Sequence, residues 1–130
     1  LSIAALALGA KHTVGLDIDS DAVISSKANL SDAGFAERST ILAGSIPHQL
    51  VPKRGFDVVA ANIAATVLIA LAQPLIDSVS EEGVIITSGV LETRLDDVIA
   101  AFEAAGGQVD SSRKIEDWTA TRFTRSSGSK

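Results

Sequence analysis

Three carboxylates at alternate positions, Asp17, Asp19 and Asp21, punctuate the segment VGLDIDSDAV at residues 14–23. A carboxylate at the tip of a buried strand can accept both hydroxyls of a ribose, as it does in nucleotide-binding α/β sheets. Asp17 directly follows the apolar run and is the candidate for that role. Asp19 lies in the turn that follows, where it could cap or tighten the loop. Asp21 falls in a first helical turn, where the helix dipole favours negative charge. The plain alternative for each is a turn or cap residue. Two further tips carry chemistry-bearing residues. Gly44-Ser45 follows the segment STILA, so a flat ring could approach the glycine backbone and the serine hydroxyl could bond it. Asn62 closes FDVVAAN, where a polar side chain has no packing role. Its carboxamide oxygen could hold an amine and its nitrogen could donate. Asn also makes a good N-cap for a following helix.

The elements that must position these residues follow from periodicity and punctuation. Residues 1–9 have high helix propensity and end at Gly9. HTVGLDI (12–18) is a short, partly β-branched strand; Ser20 is then expected to N-cap a helix that ends at Gly34. STILA (39–43) is a second strand. A loop with two of the three prolines covers 46–55, and FDVVAA (56–61) follows as a strand whose continuous apolar character implies burial on both faces. TVLIALAQPLIDSV is an apolar helix with a kink or fresh start at Pro74, closed by Gly83. VIITSG (84–89) is a strand. Leu91, Leu95, Val98, Ile99 and Phe102 then mark an amphipathic helix stopped by Gly106-Gly107. QVDSSRKIEDWTATRFT closes the chain as an antiparallel hairpin turning near Ile115–Asp117. Trp118 is expected to pack, and Arg113, Lys114 and Arg122 to be solvated. Alternating strands and helices imply a parallel α/β sheet, which binds ligands beyond the carboxyl ends of its strands.

Composition removes several function classes. The 130 residues are 46% hydrophobic and 21% charged, which suits one globular domain of cytoplasmic type. There is no cysteine, and His12 and His48 are the only histidines, so a zinc cluster or a His-based triad would lack parts. The net charge of −5 disfavours direct nucleic acid binding. No apolar run reaches the ~20 residues of a membrane span. The chain has no methionine and opens on the apolar helical sequence LSIAALALGA, so it is expected to be a piece of a longer protein.

Taken together, IAALALGAKHTVGLDIDSDAV, FDVVAANIAATVLIALAQPL and GVIITSGVLETRLDDVIAAFEAAGGQV resemble the class I S-adenosylmethionine-dependent methyltransferases. More narrowly, VVAANIAA with LAQPL, and SGVLE, resemble the ribosomal-protein methyltransferase family that modifies the eleventh large-subunit protein. The resemblance runs through the EDW segment. It implies a Rossmann-like sheet with a carboxy-terminal antiparallel hairpin, with residues 1–124 a partial methyltransferase catalytic domain and 125–130 a disordered tail. It implies S-adenosylmethionine as cofactor, with Asp17 at its ribose, Ile18 beside its adenine, and Gly44 and Ser45 bordering the adenine pocket. Asn62 would stand at its methionine end and orient the incoming amine. The implied partner is a ribosomal protein substrate, methylated on lysine side chains or its amino terminus; no oligomeric state is implied.

The family's first strand, with its glycine-rich turn, and its amino-terminal docking domain have no counterpart in these residues. That strand is central in the family's sheet, so unpaired edges are expected here, and the isolated chain is expected neither to bind cofactor well nor to methylate. The alternatives are a methyltransferase for another substrate, a nicotinamide-dependent oxidoreductase and a non-catalytic Rossmann-like binding domain. Asn62-Ile63-Ala64-Ala65 stands where a related group carries Asn-Pro-Pro-aromatic and methylates glutamine or base nitrogen, which argues against that group. A final strand inserted antiparallel into the sheet would separate the methyltransferase from the oxidoreductase.

Overall fold

The computed structural model describes residues 6–17, 19–46 and 53–125, and it resolves into two compact units, Leu1–His48 and Gln49–Lys130. In the first unit, the partly β-branched segment Thr13–Asp17 forms strand β1, and Ser39–Ala43 forms β2. They pair in parallel, with Thr13 opposite Ser39 and Asp17 opposite Ala43. Helix α1, Ser20–Asp32, makes the crossover between them. It buries Val23 and Leu30 against Leu6 and Ile41, with Ala10 and Phe35 packed alongside. Gly9 and Gly34 end helical segments as the sequence implies, each with positive φ. The Arg38 guanidinium donates to the carbonyls of Leu6 at 3.3 Å, Lys11 at 3.4 Å and Ala10, and lies 5.5 Å from the centre of the Phe35 ring. It thereby takes up carbonyls left over where the preceding helical turn ends. His12 Nε2 hydrogen-bonds Thr40 Oγ1 at 2.9 Å, a structural tie from the segment before β1 to β2.

The second unit repeats the strand–helix–strand plan and adds a hairpin. Strand β3, Phe56–Ala61, leads into helix α2, Ala65–Ser78, and strand β4, Val79–Leu91, returns parallel to β3. Helix α3, Glu92–Ala104, precedes the antiparallel pair β5, Gly107–Ile115, and β6, Trp118–Arg125. The sheet order is β3-β4-β6-β5, so β6 is inserted antiparallel between β4 and β5. That is the arrangement the sequence set as the mark of a methyltransferase rather than an oxidoreductase sheet. Helices α2 and α3 pack on each other and on one sheet face. Leu68, Leu75, Ile76, Val98, Ile85 and Phe123 are buried there, and the Phe102 and Phe123 rings stack at 4.5 Å. The strands thus fall into two sheets, β1-β2 and β3-β4-β6-β5, which makes β3 an edge strand among the described residues.

Several expectations are corrected. Helix α2 does not restart at Pro74: one helix runs through it, because Leu75, Ile76 and Ser78 beyond it are buried. Burying a Leu or Ile side chain is worth about 1.5–3 kcal/mol, so two of them offset the ~3 kcal/mol cost of an interior proline. The helix ends at Ser78, not Gly83. Val79 pairs at once with Phe56, and Gly83 lies inside β4, where a Cβ would press on Asp57 O at 2.8 Å and on the Val79 side chain. β3 is not buried on both faces: Val58 is 56% exposed, because the described helices of this unit cover only one face. Leu91 ends β4 instead of opening α3. β6 continues through Arg125, whose guanidinium donates to Ile76 O at 2.6 Å, so the tail expected from 125 starts no earlier than 126; residues 126–130 lie outside the described residues.

Candidate functional site

Asp17 is the last residue of β1 and faces Ala43 across the ladder, so it shares the carboxyl end of this sheet with Gly44 and Ser45. Ile18 lies outside the described residues. Helix α1 is capped one residue earlier than the sequence suggests, because Asp19, not Ser20, is the N-cap. Asp19 has extended backbone (φ −88°, ψ 115°), and its Oδ1 accepts from the Asp21 amide at 2.9 Å. Ser20 is the first helical residue, and Asp21 sits in the first turn as expected. The three carboxylates therefore divide by position: one closes the strand, one caps the helix and one faces the helix dipole. Gly44 has φ +122°, a left-handed conformation that turns the chain sharply after β2, and Ser45 beyond it is exposed.

In the second unit, Asn62 follows the last residue of β3, Ala61, which pairs with Thr87 of β4. The Asn62 side chain is exposed and makes no hydrogen bond among the described residues. Its alternative as an N-cap does not hold: the cap of α2 is Ala64, with no side-chain bond to the helix. The carboxamide is thus held out at the carboxyl end of β3 with both its donor and its acceptor open. Beside it the β4–β6 ladder slips between Ser88 and Val90, and Gly89 takes φ +75° in the slip. A Cβ on Gly89 would overlap Asn62 Oδ1 and lie 3.6 Å from Asn62 Cγ. Sequence reasoning took Gly89 only as the end of a strand. The dipeptide Ser88-Gly89 signals a bulge, but nothing in one sequence says whose side chain the glycine admits.

Trp118 does not pack as expected. It is 52% exposed, in a register row with Leu91 and Ile115 that is also exposed. Of the three cations taken as solvated, Lys114 pairs with Glu92 at 2.7 Å and Arg122 with Asp110 at 3.2 Å, both at exposed positions. The Glu92 amide donates to Asp117 O at 2.8 Å, tying the start of α3 to the hairpin turn. His48 lies outside the described residues. Among those described, no three His, Cys, Asp or Glu residues are grouped to hold a metal ion, and no helix is long and apolar enough to cross a membrane. What the tips can do is bind and orient: a strand-end carboxylate for hydroxyls, a turned glycine for a flat ring, and an open carboxamide for an amine or carboxylate.

Residues 1–126 match the family described as Ribosomal protein L11 methyltransferase (PrmA). A protein of that name from Agathobacter rectalis is 37% identical over 134 residues, covering 96% of this chain and 42% of its own length. Another, from Sodalis glossinidius, is 38% identical, with 96% of this chain and 41% of the relative covered. The chain therefore spans about two-fifths of the curated relatives it matches. Among solved structures, ribosomal protein L11 methylase from Lactobacillus delbrueckii subsp. bulgaricus superposes with a TM-score of 0.87 at 26% identity, covering 96% of this chain and 64% of that one. An RNA methyltransferase from Salinibacter ruber shares the fold with a TM-score of 0.77 at 19% identity, over 99% of this chain and 75% of that one.

Proposed function

The chain belongs to the ribosomal protein L11 methyltransferase family, and from that premise we propose that it is catalytic-domain sequence of an enzyme that methylates amino groups of a ribosomal protein. The acceptors are lysine side chains or the amino terminus, and the methyl donor is S-adenosylmethionine. A ribosomal protein substrate implies action in the cytoplasm. The observation that carries the reading is Asn62: an exposed carboxamide at the carboxyl end of a parallel strand, relieved of the capping role that would otherwise explain it.

The residues present suit such a donor. Asp17 at the end of β1 would take the ribose hydroxyls; Ile18, Gly44 and Ser45 would border the adenine. Asn62 would stand at the methionine end. S-Adenosylmethionine supplies, when bound, a sulfonium methyl carbon open to in-line attack by an amine lone pair. The chain's own contribution is alignment, because no nucleophile or metal is needed for that chemistry. The Asn62 oxygen can accept a hydrogen bond from the incoming amine and so direct the lone pair away from itself. A lysine amine, with a reference pKa of about 10.4, must lose its proton before it can attack.

The test incubates the complete protein carrying this chain with S-adenosylmethionine and ribosomal protein L11, and reads intact mass. Methyl increments that largely vanish on Asn62→Ala are expected; no increments on L11 with the unaltered protein would refute the reading. The 130-residue chain alone is expected to show no micromolar binding of S-adenosylmethionine by calorimetry, since among the described residues β3 ends its sheet with an open edge.

A further inference from the structure

The open carboxamide of Asn62 raises a question of precision. An exposed Asn side chain with no hydrogen bond has rotamer freedom, and a loosely held group orients a substrate poorly. Something other than a hydrogen bond must hold it. The structure sets its carboxamide against Gly89: Asn62 Oδ1 lies within the space that a Cβ on Gly89 would fill.

We infer that Gly89 is a positioning residue for Asn62: its bare Cα, presented by the bulge in β4, is the seat that fixes the carboxamide beyond β3. The inference rests on the reading of Asn62 as the group that orients the incoming amine. Two requirements coincide at this one position. Its φ of +75° is a left-handed conformation that costs an ordinary residue about 1 kcal/mol or more. Its missing side chain leaves room for Asn62 Oδ1, which any Cβ would displace. The first requirement would be met almost as well by Asn; the second is met by glycine alone.

The seat is itself held. Val90, the next residue, is 1% exposed, and its carbonyl accepts from the buried Thr119 hydroxyl at 2.8 Å. That bond pins β6 to β4 just past the slip in register, so the bulge is anchored in the core while its glycine faces the carboxamide. Bulges beside functional sites characteristically re-aim a side chain. Here the re-aimed group is on the neighbouring strand, and the bulge acts by subtraction.

The test has two arms. In the 130-residue chain, NMR reads the side-chain NH2 of Asn62. The unaltered chain should show an ordered, well-dispersed pair. Gly89→Ala should lower its order parameter or move its shifts, while the backbone amides of buried Val98 and Phe102 stay in place. Gly89→Asn, which tolerates the positive φ, should do the same and separates the Cβ contact from backbone strain. A mobile Asn62 amide in the unaltered chain, or an amide indifferent to both substitutions, overturns the inference.

In the complete enzyme, Gly89→Ala should lower kcat by roughly a hundredfold with little change in KM for the donor, the scale expected for misplacing an orienting group by about 1 Å. In an Asn62→Ala background the same substitution should cost less than about threefold, because coupled residues are non-additive. Equal losses in both backgrounds would mean Gly89 acts independently of Asn62. A responsive amide in a protein that methylates nothing would remove the functional reading and leave the Gly89–Asn62 contact standing.

Discussion

Replacing Phe102 by Ala should come close to unfolding the second unit. Phe102 on α3 and Phe123 on β6 are both fully buried, and their rings stack at 4.5 Å with 17° between planes. A phenylalanine buries roughly 200 Å², which at ~25 cal/mol/Å² gives an upper bound of about 5 kcal/mol. The partial collapse that follows truncation brings the expected cost to about 3–5 kcal/mol. The unit spans Gln49–Lys130, and roughly 0.05–0.15 kcal/mol per residue implies a total stability of about 4–12 kcal/mol. The loss is therefore a large share of the whole. Trp118, the chain's single tryptophan, sits on the same strand as Phe123 and supplies the probe. Urea unfolding followed by its fluorescence should give a midpoint for Phe102→Ala several molar lower, or no folded baseline at all, with m near 1 kcal/mol/M. Phe102→Leu keeps most of the volume and should lose only about 1–1.5 kcal/mol. A cost below about 1.5 kcal/mol for Phe102→Ala would show that the stacked pair is not what joins α3 to the sheet.

Three further outcomes follow from individual contacts. Thr87 is fully buried with its hydroxyl unpartnered among the described residues, so Thr87→Val should raise stability by about 1 kcal/mol; an unchanged or lower urea midpoint by Trp118 fluorescence would contradict this. Asp19→Ala removes the N-cap of α1 and should cost about 1 kcal/mol, whereas Ser20→Ala should change stability by only a few tenths; hydrogen exchange of the first-turn amides measures both, and the reverse order would restore Ser20 as the cap. In the complete enzyme, Asp17→Ala should weaken S-adenosylmethionine binding roughly ten- to a hundredfold, as loss of charge-assisted hydrogen bonds does, and Asp21→Ala should leave it near the original value; equal calorimetric affinities would erase the division between them.

Where the chain punctuates itself, the elements were readable from sequence. β2 and β3 were read to the residue because glycine brackets one end and a polar tip the other: STILA stops at Gly44, FDVVAA between Gly55 and Asn62. The hairpin was also readable: the turn at Glu116-Asp117 falls within the stretch Ile115–Asp117 where the sequence places it. The start of β4 was not legible. α2 passes into β4 with no connecting residue, and Val79 owes its strand conformation to Phe56, more than twenty positions upstream. Gly83, which local rules read as a helix stop, is instead a site of close backbone approach. Of the two outcomes expected at Pro74, the fresh start fails for a related reason: the local rule counts the lost hydrogen bond, and the compensating burial of Leu75 and Ile76 depends on what α2 packs against. Trp118 shows the limit from the other side. Its type suggested a core, but the face it shares with Leu91 and Ile115 is open.

At the candidate site, residue type was informative and partnership was not. A strand tip ending in Asn admits two explanations, and only the helix register separates them. Because α2 starts at Ala65 with Ala64 as its cap, Asn62 stands two residues too early to bond the first turn in the usual way. Removing that duty takes away the capping explanation of this exposed side chain and leaves the proposed chemical one. The seat itself is a relation between two strands joined by a helix. Asn62 and Gly89 are each ordinary in isolation, a polar strand end and a bulge glycine. Only the parallel pairing of Ala61 with Thr87 brings them level. A substitution at either position therefore has to be judged by what it does to the other.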